Sequence, residues 1–209
     1  IEELVYIPTN VTYQILKEQL GDFSYVNQYG TFYFTIQNTI YAYNLITNKL
    51  TTKATDICNN NFVVSKEEQY LAFQNSSNPK EADAITILDL ETGAEQQITA
   101  PKGSNIRILG KIHENMVYGF VKHGDITTTV DGKLLIPMYQ VQIADYNCNI
   151  LKDYKEPGYY ITNAIIEDNI ITLLRAEQVK ENGKTYYKTA PPDNILNKVM
   201  KSPSVFKLT

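Results

Sequence analysis

The sequence predicts an all-β protein of repeated antiparallel four-stranded units, with short helices at the two ends. Three observations predict it: a hydrophobic period of two from Phe23 onward, Asn- and Gly-containing turns at short intervals, and one turn pattern that recurs along the chain. Composition agrees. Sixteen Tyr and seven Phe in 209 residues, together with abundant Thr, Val and Ile, suit half-buried pleated surfaces.

The elements follow in order. The first 22 residues form a flank in which Asn10 or Thr12 caps a short helix that stops at Gly21. Thr31–Ile36 and Thr39–Leu45 read as a hairpin, and Lys49–Thr52 returns beside them. Asn61–Val64, Gln69–Gln74, Ala84–Leu90 and Glu95–Thr99 repeat the arrangement. Ile106–Lys111, Met116–Val121, Tyr139–Asp145 and Ile150–Tyr154 repeat it again, with a long loop from Lys122 to Pro137. A further unit begins with Tyr159–Ile166 and Ile170–Ala176, then Thr185–Lys188. Ala190-Pro191-Pro192 is expected to break that unit, with Asp193 capping a short helix through Met200. The expected division is therefore residues 1–22 as a flank, 23–190 as the repeated domain and 191–209 as a second flank.

The repeat is clearest in one turn, which reads Asn44-Leu45-Ile46-Thr47-Asn48, then Asp89-Leu90-Glu91-Thr92-Gly93, then Asp145-Tyr146-Asn147-Cys148-Asn149. The copies start about 45 and about 56 residues apart, the spacing of propeller blades. The first Asn or Asp accepts hydrogen bonds from the turn backbone, and the fifth Asn or Gly tolerates a left-handed conformation.

Ser65–Phe73, followed by Ile85–Gly93, resembles a blade of the TolB-type propellers and of the propellers that cover the active site in dipeptidyl peptidase and prolyl oligopeptidase relatives. Such blades read Ser-Pro-Asp-Gly-Lys before the second strand; here Lys66 replaces the Pro and Glu67 the Asp. The likeness covers about 40 residues well. The stretch from Ile136 through Thr162 also resembles uncharacterised surface proteins of Gram-positive gut anaerobes. These resemblances imply a propeller-like domain and a location outside the cell, held by an anchor outside this chain.

Charge narrows the function classes. A net charge of −4 with no basic stripe argues against nucleic-acid binding. No apolar run approaches the roughly 18 residues of a membrane-spanning helix, so direct membrane insertion is not expected. The chain opens at Ile1 with no signal-peptide pattern, and the expectation is a segment trimmed from a longer protein.

Residues with catalytic potential do not assemble in the sequence. His113 and His123 lack the spacing of a zinc site, and no metal or cofactor is expected. Gly103-Ser104-Asn105 lacks the second Gly of a nucleophile elbow. Asp125, Asp131, Glu167 and Asp168 are candidates for a glycosidase pair, yet all fall in turns, where acids serve turn chemistry. Cys58 and Cys148 occupy loop types that open on opposite faces of a blade stack, so no disulfide is expected. Tyr25, Tyr29, Tyr33, Tyr41, Tyr43, Tyr159, Tyr160, Tyr186 and Tyr187 lie in or beside strands; packing between units accounts for them better than a ligand platform.

The expected function is a non-enzymatic, extracellular or cell-surface module that binds a protein, peptide or glycan. Insertions on repeat scaffolds form binding faces, so His123, Asp125, Asp131 and Lys133 in the longest insertion are the candidate ligand residues. The alternatives are an accessory propeller of a larger peptidase or hydrolase, and a glycosidase-like propeller whose acids cluster in a central funnel. Three clear units and a partial fourth leave open faces, so a fragment of a larger propeller or self-association of two chains is also expected.

Overall fold

The computed structural model describes residues 23–57, 61–65, 67, 70–129, 131–181 and 183–196, with Tyr6 and Thr12 as isolated positions. The expected N-terminal helix lies outside them. Unit 1 is a four-stranded antiparallel sheet of β1 (Ser24–Val26), β2 (Thr31–Ile36), β3 (Thr39–Asn44) and β4 (Lys49–Ala54), in that order across the sheet. Unit 2 repeats it with β5 (Phe62–Val64), β6 (Tyr70–Gln74), β7 (Ala84–Asp89) and β8 (Glu95–Thr99). Unit 3 begins with β9 (Ser104–Ile112) and β10 (Asn115–Lys122). A 3-10 turn (His123–Asp125) and a small hairpin, β11 (Thr127–Thr128) and β12 (Leu134–Leu135), interrupt it before β13 (Gln140–Ala144) and β14 (Ile150–Tyr154) complete the sheet. Unit 4 has three strands, β15 (Tyr159–Glu167), β16 (Ile170–Glu181) and β17 (Lys184–Leu196). The all-β, blade-like architecture expected from the repeat is the one observed.

The recurrent turn works as its residues dictate. The Asn44 Oδ1 accepts from the amides of Ile46 and Thr47, the Asp89 Oδ1 from Glu91 and Thr92, and the Asp145 Oδ1 from Asn147 and Asn149. Asn48 and Gly93 take the left-handed conformation. In the third copy that conformation falls on Cys148 rather than Asn149. The Asp145 amide closes on the Asn149 carbonyl, whereas the Asp89 amide reaches Ala94, so this turn is one residue tighter. Cys148 is a free thiol, and Cys58 lies outside the described residues.

Alternation along the strands builds three apolar layers, one between each successive pair of units. Tyr33, Ile40 and Ala42 of unit 1 meet Leu71, Phe73 and Leu88 of unit 2. Ala72, Ile85 and Ile87 meet Ile106, Tyr118 and Phe120 of unit 3. Val117, Val141 and Ile143 meet Ile161, Ile171 and Leu173 of unit 4. The end units keep apolar outer faces. In unit 1 the rings of Phe32, Phe34 and Tyr41 stack on the face turned from unit 2, with centroids 4.8 and 5.5 Å apart. In unit 4 the exposed Ile165, Ile170 and Leu196 alternate with residues facing unit 3.

Unit 4 also corrects the sequence reading. Pro191 and Pro192 do not break the strand, and Asp193 to Leu196 continue β17 rather than starting a helix. β17 is the edge of its sheet, where a missing amide costs no ladder bond on the far side. The pairing shifts between Leu173 and Arg175, so Leu174 faces the two prolines across a bulge. The Arg175 Nε closes the gap by donating to the Pro191 carbonyl at 2.8 Å.

Polar bonds fasten the layers. Gln74, buried in β6, accepts from the amide of Ile108 in β9 at 2.8 Å. A leucine at position 74 leaves that amide unmade in an apolar layer. Gln74→Leu is expected to lower stability by roughly 1–2 kcal/mol, measured by urea unfolding with an unchanged m-value.

Candidate binding face

In each four-stranded unit the connection between the second and third strands and the link to the next unit emerge at one end of the sheets. The hairpin turns between the first and second strands emerge at the other. Two cavities open at the first end, around unit 3. The larger, about 510 Å³, is lined by the 101–104 link, by Lys122 and Tyr139, by the 155–158 link and by Tyr160. The smaller, about 310 Å³, is lined by Lys122, Gly124, Asp125 and Thr127 of the insertion, by Tyr160, and by Gln178, Lys180, Thr185 and Tyr187 of the long β16–β17 hairpin. Lys122 and Tyr160 belong to both, so the cavities form one groove with a common wall.

The groove floor is held by its own bonds. Tyr139 pairs its hydroxyl with the Ser104 hydroxyl at 3.2 Å, and its amide donates to the Phe120 carbonyl at 2.9 Å. The Lys155 ammonium lies over the Tyr139 ring, 5.5 Å from its centre. Tyr160 and Tyr187 meet edge to face at 5.2 Å. Burial, with the nearby Asp125 carboxylate adding to it, pushes the Tyr187 hydroxyl up to about 12, so Tyr187 is a neutral phenol at physiological pH. It accepts from the Gln178 side-chain amide at 3.0 Å.

The 155–158 link is clamped from below. The Arg175 guanidinium stacks on the Tyr159 ring at 4.3 Å and binds Glu156, the Tyr154 hydroxyl and Asp193. Burial opposes its charge, but Tyr154, Glu156 and Asp193 hold it above the ordinary arginine value. Arg175 thus offsets part of the Glu156 charge, shared with Asp193, while Lys155 beside it pairs with no carboxylate among the described residues.

A third cavity, about 390 Å³, runs along the innermost strands of units 2 to 4, lined by Phe62, Val63, Arg107, Leu109, Gly110 and Asn163. Arg107 donates a long bond, 3.4 Å, to the Thr162 carbonyl, and burial depresses its pKa.

The sequence-derived candidates separate. Asp125 lines the groove. His123 anchors the insertion through its backbone, its amide donating to the Gly103 carbonyl at 3.1 Å. Asp131 and Lys133 pair with each other at 3.5 Å at the exposed tip of the β11–β12 hairpin, outside the groove lining. Glu167 and Asp168 sit at the opposite end, where the His113 Nε2 lies 2.7 Å from the Asn169 side chain. The four acids therefore share no cavity. Among the described residues no group of His, Cys, Asp and Glu is placed to hold a metal, and no helix is long and apolar enough to cross a membrane. Of the strand tyrosines, Tyr33 and Tyr43 are buried packing residues and Tyr160 and Tyr187 are groove residues. Lys102, Tyr139, Lys155 and Lys180 escaped the sequence reading because each belongs to a different loop or strand and carries no motif.

No protein-family model matches this chain, and no curated protein is similar in sequence. Solved structures with a similar arrangement include the acylaminoacyl peptidase of Pyrococcus horikoshii. It is 12% identical with a TM-score of 0.37, over 85% of this chain and 34% of the peptidase. They also include the WD40 domain of SCAP from fission yeast, 12% identical with a TM-score of 0.32, over 79% of this chain and 43% of that one. A putative TolB from Agrobacterium tumefaciens is 10% identical with a TM-score of 0.29, over 78% of each chain. The chain thus spans under half the length of the first two.

Proposed function

We propose that this chain is a non-catalytic, propeller-like binding module of an extracellular or cell-surface protein, and that its ligand sits in the groove around unit 3. One observation carries the reading: loops from units 2, 3 and 4 converge on two adjoining cavities of about 510 and 310 Å³ that share Lys122 and Tyr160. Ligand sites on repeat scaffolds form in this way, where loops of successive units meet at one end.

The test is a peptide and glycan array probed with the labelled chain. Tyr160→Ala removes the wall common to both cavities and is expected to weaken binding of any captured class by about tenfold or more. His113→Ala, at the opposite end, is expected to leave it within about twofold. Equal loss in both variants, or loss in His113→Ala alone, would move the site away from the groove.

A further inference from the structure

Resting on that placement of the site, we propose that the groove recognises an acidic polypeptide segment. Lys102, Lys122, Lys155 and Lys180 line its two cavities, against the carboxylates of Asp125 and Glu156. Glu156 is already committed to Arg175. None of the four lysines forms an ion pair among the described residues. In a chain whose acidic residues outnumber the basic ones 23 to 19, this concentrates uncompensated positive charge at one place. Four lysines against two carboxylates leave an excess of positive charge on a concave surface, which focuses the field and draws the opposite sign.

The aromatic residues distinguish the polymer. A sugar ring needs an open aromatic face. Here one face of Tyr139 lies under Lys155, and Tyr160 and Tyr187 are engaged with each other edge to face. What the groove offers instead is hydroxyl, amide and ammonium donors: the Tyr160 hydroxyl has no hydrogen-bond partner among the described residues, and Lys122 and Lys180 are likewise uncommitted among them. Thr185 and Tyr187 of β17 pair with Lys180 and Gln178 of β16, so these four side chains present one face of the hairpin to the cavity. An extended peptide is the ligand that meets the lysines through its carboxylates and these hydroxyl and amide groups through its backbone.

The experiment is fluorescence anisotropy with the whole chain and three labelled probes: an oligoglutamate peptide, an oligoglutamine peptide of equal length and a heparin oligosaccharide. The expected result is binding of oligoglutamate at least about tenfold tighter than of oligoglutamine, weakening steeply as salt is raised. K122E/K155E is expected to weaken that binding by about tenfold or more, while K133E, at the hairpin tip, changes it by less than about twofold. Circular dichroism confirms that the variants keep their strands. The proposal is overturned if oligoglutamate does not bind, if it binds K122E/K155E as well as the parent chain, or if K133E is equally damaging. Preference for heparin with the same dependence on Lys122 and Lys155 also overturns it, but leaves the groove as the binding site; capture on the array that is insensitive to Tyr160→Ala removes the groove itself.

Discussion

Asn27→Ala is expected to destabilise the chain by about 3 kcal/mol, because one truncation removes four hydrogen bonds at once. Asn27 is buried at the foot of unit 1. Its Nδ2 donates to the carbonyls of Leu90 and Glu91 at 3.0 and 2.9 Å, in the turn between β7 and β8 of unit 2. Its Oδ1 accepts from the amides of Tyr29 and Thr31 at 3.1 and 2.8 Å, within unit 1. One side chain thus shapes the β1–β2 turn and ties it to the next unit. Alanine leaves two amides and two carbonyls without these partners, each worth about 0.5–1.5 kcal/mol net. For a chain of this size the melting temperature should fall by about 10 °C. Asn27→Asp should be no better, because a carboxylate oxygen then faces two carbonyl oxygens. A loss below about 1 kcal/mol would show that water replaces these bonds and that units 1 and 2 are held by their apolar layer alone.

Gly119→Ala is expected to cost about 2–3 kcal/mol through overpacking. A β-carbon at position 119 would lie 2.6 Å from the Met138 Sδ, 3.0 Å from the Gln140 carbonyl and 3.2 Å from a Val141 methyl. Met138 is fully buried and cannot retreat to solvent. It is also fixed by its backbone, which exchanges two 2.8 Å hydrogen bonds with Ile161 and so links unit 3 to unit 4. Its neighbour Tyr139 is the groove floor, so the strain should reach the site as well. A double-mutant cycle isolates the clash. Gly119→Ala combined with Met138→Ala should cost less than the sum of the two alone, by roughly 1 kcal/mol. Strict additivity would mean that the backbone of β10 and β13 parts to admit the methyl group.

Much of the architecture was legible because it is written locally. The alternation in Thr31–Ile36 or Ala84–Asp89, and the Asn or Asp that opens each recurrent turn, act within a few residues, and the hydrogen bonds of Asn44, Asp89 and Asp145 follow the pattern read from them. The end of unit 4 was misread because Pro191-Pro192 breaks an inner strand but not an edge strand, and edge position is a property of the sheet. The site was hardest to read. Asp125 lay in the insertion that the repeat pattern singled out, but its companions Lys102, Lys155, Lys180 and Tyr160 come from three other segments that only the stacking of units brings together. Asn27 was silent for the same reason, since its carbonyl partners lie more than 60 residues away.

Amide hydrogen exchange of the whole chain, with and without the oligoglutamate peptide, tests the assignment of the binding face most directly. The groove predicts slowed exchange in residues 101–104, 122–127, 155–160 and 178–187, with the turns at His113 and Asp168 unchanged. Protection at those opposite turns, on the outer face of β15–β17, or nowhere would contradict it.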